Sequence, residues 1–223
     1  MLFYDIVNII SLLVLRYGIL SKGLHGELKS VDMDKVNEWR EQLKFLCEGF
    51  EPENIYNCDE TALFYRALPT RSLATKLEIC NGTKLIKDRL SILFCTNATG
   101  GHLPPFVIVR YKHPRCFGKV DAALLPTQWA FNRRAWMTAE LFRSWLIKLD
   151  NKFKREKRKV LMFLDNASSH PNIKLDAITL RFLPPLCTAA LQPLDQGIIR
   201  SFKAQYRTVF KENFSIFQQR RTY

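Results

Sequence analysis

The stretch Val160–His170, VLMFLDNASSH, decides the fold. Five apolar residues run without interruption and then stop on a carboxylate, an amide, two hydroxyls and an imidazole. An unbroken apolar run of this length, closed by polar residues, reads as a strand buried on both faces, the habit of strands inside a helix-covered sheet. The residues on either side agree with that reading. Before it, Thr138 is placed to cap a helix in which Leu141, Trp145 and Leu149 form one row and Phe142, Leu146 and Phe153 an adjacent one. A basic connector, Lys152 to Lys159, joins that helix to the strand. After it, ITLRFL (178–183) reads as a second short strand, and Gln192-Pro193 opens a last long helix with proline in its first turn. Upstream, residues 32–48 read as a helix capped by Asp32, with Val36, Trp39, Leu43 and Leu46 on one stripe. Ile55–Cys58 reads as a strand stopping at Asp59-Glu60-Thr61. RLSILFCTNAT (89–99) and LPPFVIVRY (103–111) form a hairpin across Gly100-Gly101. The order predicts a mixed α/β layered fold.

Totals bound the partners. The chain has 223 residues, 47% of them hydrophobic, and a formal net charge of +13. That composition builds an ample core, and the cationic surplus favours a polyanion, most simply nucleic acid. The six cysteines show no CxxC pair and no zinc spacing, so they read as reduced core residues. The apolar N-terminal run, MLFYDIVNIISLLVL, is shorter than the ~20 residues of a membrane span. Asp5 precedes its core and no small-residue cleavage site follows, so it reads as a buried or partner-packing helix, with a signal peptide as the alternative, and no membrane partner is expected.

Three aspartates stand where apolar elements meet polar sequence: Asp59 after IYNC, Asp165 after VLMFL, and Asp195 in the first turn of the last helix. On a regular helix Asp195 shares a stripe with Ile199, Phe202 and Tyr206, which turns it toward the buried side. Carboxylates gathered at a sheet edge repel one another, and a divalent cation with a taste for oxygen, Mg²⁺ or Mn²⁺, relieves the repulsion. A pair of such ions is suited to phosphodiester cleavage. Taken singly, each aspartate reads more readily as a cap, a turn residue or a first-turn acid than as a ligand.

NIYNCDETALFYRALPTRSL, PRCFGKV, WMTAELFRSWL, FLDNASSHPN and LQPLDQGIIRSFKAQYR resemble, in order and spacing, the transposase domain of the pogo/Tigger group of mariner-type DDE transposases. Centromere protein B and the jerky proteins are domesticated relatives in that group. The resemblance implies an RNase H-like fold, with a mixed central sheet flanked by helices and here an N-terminal helical lead-in. It implies a triad of Asp59, Asp165 and Asp195, acting as metal ligands and catalytic residues for two Mg²⁺ or Mn²⁺ ions. It also implies a divided chain: an apolar segment over 1–22 in place of a helix-turn-helix region, a linker helix over 23–50, and the endonuclease domain over 51–223. Double-stranded DNA is the expected partner, self-association into a homo-oligomer a second, and the nucleus the expected compartment. Lys87, Arg89, Lys112, Arg115, Lys154, Arg155 and His170 are the candidate DNA contacts. Against the family pattern, Ala62 stands for glycine, Ser168 for proline, and Leu186, Cys187, Ala189 and Ala190 for more polar or larger residues before the third aspartate. A domesticated, non-catalytic DNA-binding or interaction protein is the alternative expectation.

Overall fold

The computed structural model describes residues 33–64, 88–114, 125–185 and 187–208. The apolar segment 1–22, Lys87 and Arg115 lie outside them. Six strands form one sheet: β1 Ile55–Leu63, β2 Leu90–Asn97, β3 Phe106–Val109, β4 Gln128–Phe131, β5 Val160–Leu164 and β6 Ile178–Phe182, in the order β4-β3-β2-β1-β5-β6. β2 runs antiparallel to both its neighbours, β1 and β3, and the remaining pairings are parallel. Five of the six strands therefore point the same way.

Every residue of β5 is buried, and the strand is interior. This is the two-sided burial that the VLMFL run predicts. On one face lies the long helix α2 (Ala139–Arg155), after the short first helix α1 (Met33–Leu46). The predicted cap holds, with Thr138 Oγ1 accepting from the Leu141 N–H at 3.3 Å. Phe142, Trp145, Leu146, Leu149 and Phe153 of α2 pack on Cys58, Leu93, Val160, Met162 and Leu164. The other face carries Leu63, Ile92 and Val107 against Phe202 and Tyr206, with Leu194, Ile198 and Ile199 on Phe94. α1 joins this second side, its Val36 in a cluster with Cys187 and Ala190 and its Trp39 edge-on to Phe163 at 6.4 Å. Two of the residues that depart from the family pattern are thus packing residues. Trp39 is only half-buried. The four described cysteines are free. No described helix is long and apolar enough to cross a membrane.

Three local features differ from the sequence expectations. β1 does not stop at Asp59: it runs to Leu63, because all eight residues from Tyr56 to Leu63 have partners in β2. Sheet alternation then sends Asn57, Asp59 and Thr61 to one face and Cys58 and Glu60 to the other. β4, with the sequence QWAF, is an added edge strand with no fully buried residue. The last helix is broken as well. A short helix α3 (Thr188–Leu191) precedes Pro193, a π-type turn spans Leu194–Ile198, and regular helix (α4) follows over 199–208. The cause is Gly197, whose φ of +136° is closed to other residues at low strain. The wider turn moves Leu194 onto the buried face and leaves Asp195 exposed, contrary to the regular-helix stripe.

Asp150 is a buried acid that periodicity does not explain. Its carboxylate accepts from the N–H groups of Asp176, Ala177 and Ile178 at 3.2, 2.8 and 3.0 Å, tying α2 to the start of β6. Asp150→Ala leaves those donors unpaired and is expected to cost about 2–4 kcal/mol, read as a lower urea midpoint at unchanged slope.

Candidate catalytic carboxylate site

The parallel register pairs Ile55 with Leu161 and Asn57 with Phe163. Continued two residues, it sets Asp59 beside Asp165, one step past the end of β5, at a strand spacing of about 4.8 Å. Asp59 is buried, at 7% exposure. Burial pushes its carboxyl up to about 9, helped by the negative charges of Asp195, Glu60 and Asp165 and by a side-chain hydrogen bond with Asp195. Two carboxylates share a hydrogen bond only when one holds a proton. Asp165 and Asp195 therefore both lie within electrostatic reach of Asp59, whose burial penalises negative charge.

Asp195 is delivered to this place by a latch. Asn57 Oδ1 accepts from the Leu194 N–H at 3.3 Å, while Asn57 Nδ2 donates to the Phe163 carbonyl at 3.2 Å and lies 3.5 Å from Gln192 Oε1. Gln192, fully buried, donates to the Cys58 carbonyl at 3.2 Å. Gln196 Nε2 donates back to the Ala190 carbonyl at 2.7 Å. Strand β1 thus holds the turn carrying Asp195 through Gln192 and Leu194, just before it. Asn57→Ala is expected to cost about 1–3 kcal/mol, since it removes contacts to three buried partners, and to release Asp195 from Asp59. Carboxyl-selective chemical shifts of the two aspartates read that release. Lys203, one helix face along, feels the charge of both Asp195 and Asp59, though burial and Arg207 set its lowered ammonium pKa.

On the opposite face of β1, Glu60 meets His170. The imidazole Nε2 lies 2.8 Å from Glu60 Oε1, and Nδ1 lies 2.5 Å from Asp165 Oδ1. The ring is fully enclosed and rests on Phe142 at 4.3 Å. Burial alone lowers an imidazole, but the hydrogen bonds to Asp165 and Glu60 outweigh it and hold His170 up to about 10. Asp165 also accepts from the Ala167 N–H at 3.4 Å.

Two donor sets are available to a cation. The ligand atoms of Glu60, Asp165 and His170 lie within 4.8 Å of one another. Both imidazole nitrogens there face acceptor-only oxygens, so both carry protons and neither offers a lone pair. Glu60 and His170 accordingly form a clamp that orients Asp165. The set Asp59, Asp165 and Asp195 is oxygen-only, suits a hard divalent ion, and has a repulsion that such an ion relieves. These residues fit Mg²⁺ or Mn²⁺.

The candidate DNA contacts separate. Arg89 and Lys112 sit at the sheet end where β1, β3 and β5 finish; Lys112 is exposed, and Arg89 donates to Ser91 Oγ at 2.8 Å. Lys154 and Arg155 close α2 at the other end of the sheet, Lys154 paired with Asp176 at 2.5 Å and Arg155 donating to the Asn151 carbonyl at 3.3 Å. His170 faces inward. Neither the Asn57–Gln192 latch nor the Glu60–His170 pairing is legible in the sequence, because their partners lie 135 and 110 residues apart.

A sequence profile described as DDE superfamily endonuclease matches residues 87–221, more than half of the chain. The chain is 37% identical over 202 residues to Tigger transposable element-derived protein 4 of Mus musculus, covering 89% of this chain and 39% of that protein. It is 34% identical over 196 residues to CENP-B homolog protein 2 of Schizosaccharomyces pombe, covering 82% and 37%. It therefore spans well under half the length of these relatives. The transposase in a pre-cleavage Mos1 transpososome superposes with a TM-score of 0.50 at 12% identity, over 90% of this chain and 58% of that one, a likeness of fold. With the mixed sheet and its flanking helices, that likeness is an RNase H-like fold. By profile, relatives and fold together, the chain belongs to the DDE superfamily of endonucleases, in its pogo/Tigger branch.

Proposed function

We infer that the chain is a transposase-derived, DNA-binding domain that cuts phosphodiester bonds and transfers strands with Asp59, Asp165 and Asp195 as its catalytic carboxylates. The observation that carries this reading is the meeting of three aspartates from separate elements at the carboxyl end of the parallel strands, with Asp59 pushed up to about 9. A carboxylate trio in that state is a poor design for stability and a good one for gripping cations. Two Mg²⁺ or Mn²⁺ ions, when bound, supply activation of an attacking hydroxyl and charge relief for the leaving oxygen. The rigid sheet presents Asp59 and Asp165, the latch brings Asp195 in from the α4 side, and the clamp fixes the orientation of Asp165. The net charge of +13 supports a duplex DNA partner, and a nuclear site of action goes with it.

The test is nicking of supercoiled plasmid in Mn²⁺ by the purified chain, with Asp165→Ala beside it. Nicking by wild type alone supports the reading. Equal nicking by both, or none by either, sinks the catalytic part and leaves a DNA-binding domain that has kept the fold. Plasmid retention by a salt-sensitive mode, checked in the same samples, tests the DNA part separately.

A further inference from the structure

The loop between β4 and α2 holds a tryptophan outward by means that helix packing does not require. Asn132 Oδ1 accepts from the N–H groups of Arg134 and Trp136 at 3.1 and 3.2 Å, and its Nδ2 donates to the Trp136 carbonyl at 2.6 Å. Ser91 Oγ donates to the Ala135 carbonyl at 2.7 Å. Ala135 is buried in a left-handed conformation, φ +53°, which a non-glycine residue adopts only when its surroundings force it. The result is an indole 54% exposed, with the Arg89 guanidinium over its ring at 4.4 Å. The apolar residue just before the Thr138 cap is Met137, which packs against the core cluster that includes Phe142. Trp136 is not needed for that.

The surroundings are cationic. Arg133 and Arg134 are exposed, and Arg110 is exposed directly after β3, where Val109 accepts from the Asn132 N–H at 3.0 Å. The register pairs Ser91 with Ile108, which sets Arg89 opposite Arg110. Among the described residues flanking these positions in the sequence, Asp88 and Glu140 are the acids, and the four arginines outnumber them. This group lies at the end of the sheet where β1, β3, β4 and β5 all finish, the end that carries Asp165. Two to four strand spacings separate the two, about 10–19 Å, or roughly three to six nucleotides at 3.4 Å each.

We propose that Trp136 is a stacking platform for an unpaired DNA base, with Arg89, Arg133 and Arg134 holding the neighbouring phosphates. This rests on the DNA reading above and adds to it a preference for strands that are open a few nucleotides from the phosphate at Asp165. Aromatic rings backed by arginine stack on any base, because every base has a π-face.

The experiment is fluorescence anisotropy of the purified full chain on two labelled DNAs, a fully paired duplex and the same duplex with a short unpaired tract. Wild type is expected to prefer the second. Trp136→Ala is expected to lose roughly 5- to 100-fold on the open DNA and little on the duplex, and Trp136→Phe to keep most of the preference. Arg133→Ala with Arg134→Ala is expected to weaken both and lower the salt slope by about 1–2. Wild-type affinity for both DNAs in Trp136→Ala, or an equal loss on both, overturns the platform and leaves the DNA reading standing. A change in self-association without a change in DNA binding overturns it in favour of an interface between copies. No binding of either DNA by wild type overturns the DNA reading itself.

Discussion

Asp165→Ala is expected to lower Mn²⁺-dependent nicking by about 10³-fold or more, while the fold survives. The residue is only partly buried, and its carboxylate forms no strand pairing that the sheet needs. The loss therefore falls on cleavage. A graded companion separates ligation from orientation. His170→Gln keeps one polar contact but cannot bridge Glu60 and Asp165 together, so it is expected to cost about 10- to 100-fold, the usual scale for a group that orients a ligand. Glu60→Gln, which preserves the shape of the clamp, is expected to cost less than His170→Gln. Initial rates of plasmid nicking, with circular dichroism of each variant, check the series. Equal losses in all three variants would mean that the clamp carries the chemistry itself.

Asp59→Asn is expected to separate stability from activity. In the metal-free chain the folded carboxyl titrates at about 9, whereas the unfolded one titrates in the ordinary range near 4. Between those values the folded state holds a proton that the unfolded state has released. Stability therefore falls as pH rises through this window, and at neutral pH keeping the folded group protonated costs free energy. Asparagine has the same shape without the titration. The variant is expected to be more stable than wild type by roughly 1–3 kcal/mol at pH 7 without metal, with a flatter pH dependence between pH 5 and 8. It is expected to have lost cleavage and the gain in melting temperature that Mn²⁺ gives wild type. Thermal unfolding across pH, with and without Mn²⁺, measures each part. A less stable Asp59→Asn would mean that the buried carboxylate is satisfied by its protein neighbours and does not await a cation.

Much of the architecture is legible where hydrophobic period and burial coincide. VLMFL is buried on both faces, so its apolar run is continuous and unambiguous. The rows of α2 and the Gly100-Gly101 hairpin are local patterns of the same kind. β1 is harder because Asp59, Glu60 and Thr61 look like a stop, when they are strand residues whose polar side chains serve the site on both faces. β4 is a short edge strand, half-covered, and its four residues hold no period to read. The break at Gly197 is invisible because QPLDQG looks like an ordinary helix start, and the wide turn there is held by Asn57 on a distant strand. The three aspartates were visible as edge residues. What brings them together, the latch and the clamp, is tertiary.

The proposed cation site is the oxygen-only set rather than the group containing His170. Mn²⁺ titration followed by electron paramagnetic resonance, on wild type, Asp59→Asn, Asp195→Asn and His170→Gln, tests this directly. About two ions are expected on wild type, with binding largely lost in either aspartate variant and only weakened in His170→Gln. Binding that persists in Asp59→Asn and Asp195→Asn but disappears in His170→Gln would place the cation at Glu60, Asp165 and His170 and contradict the assignment.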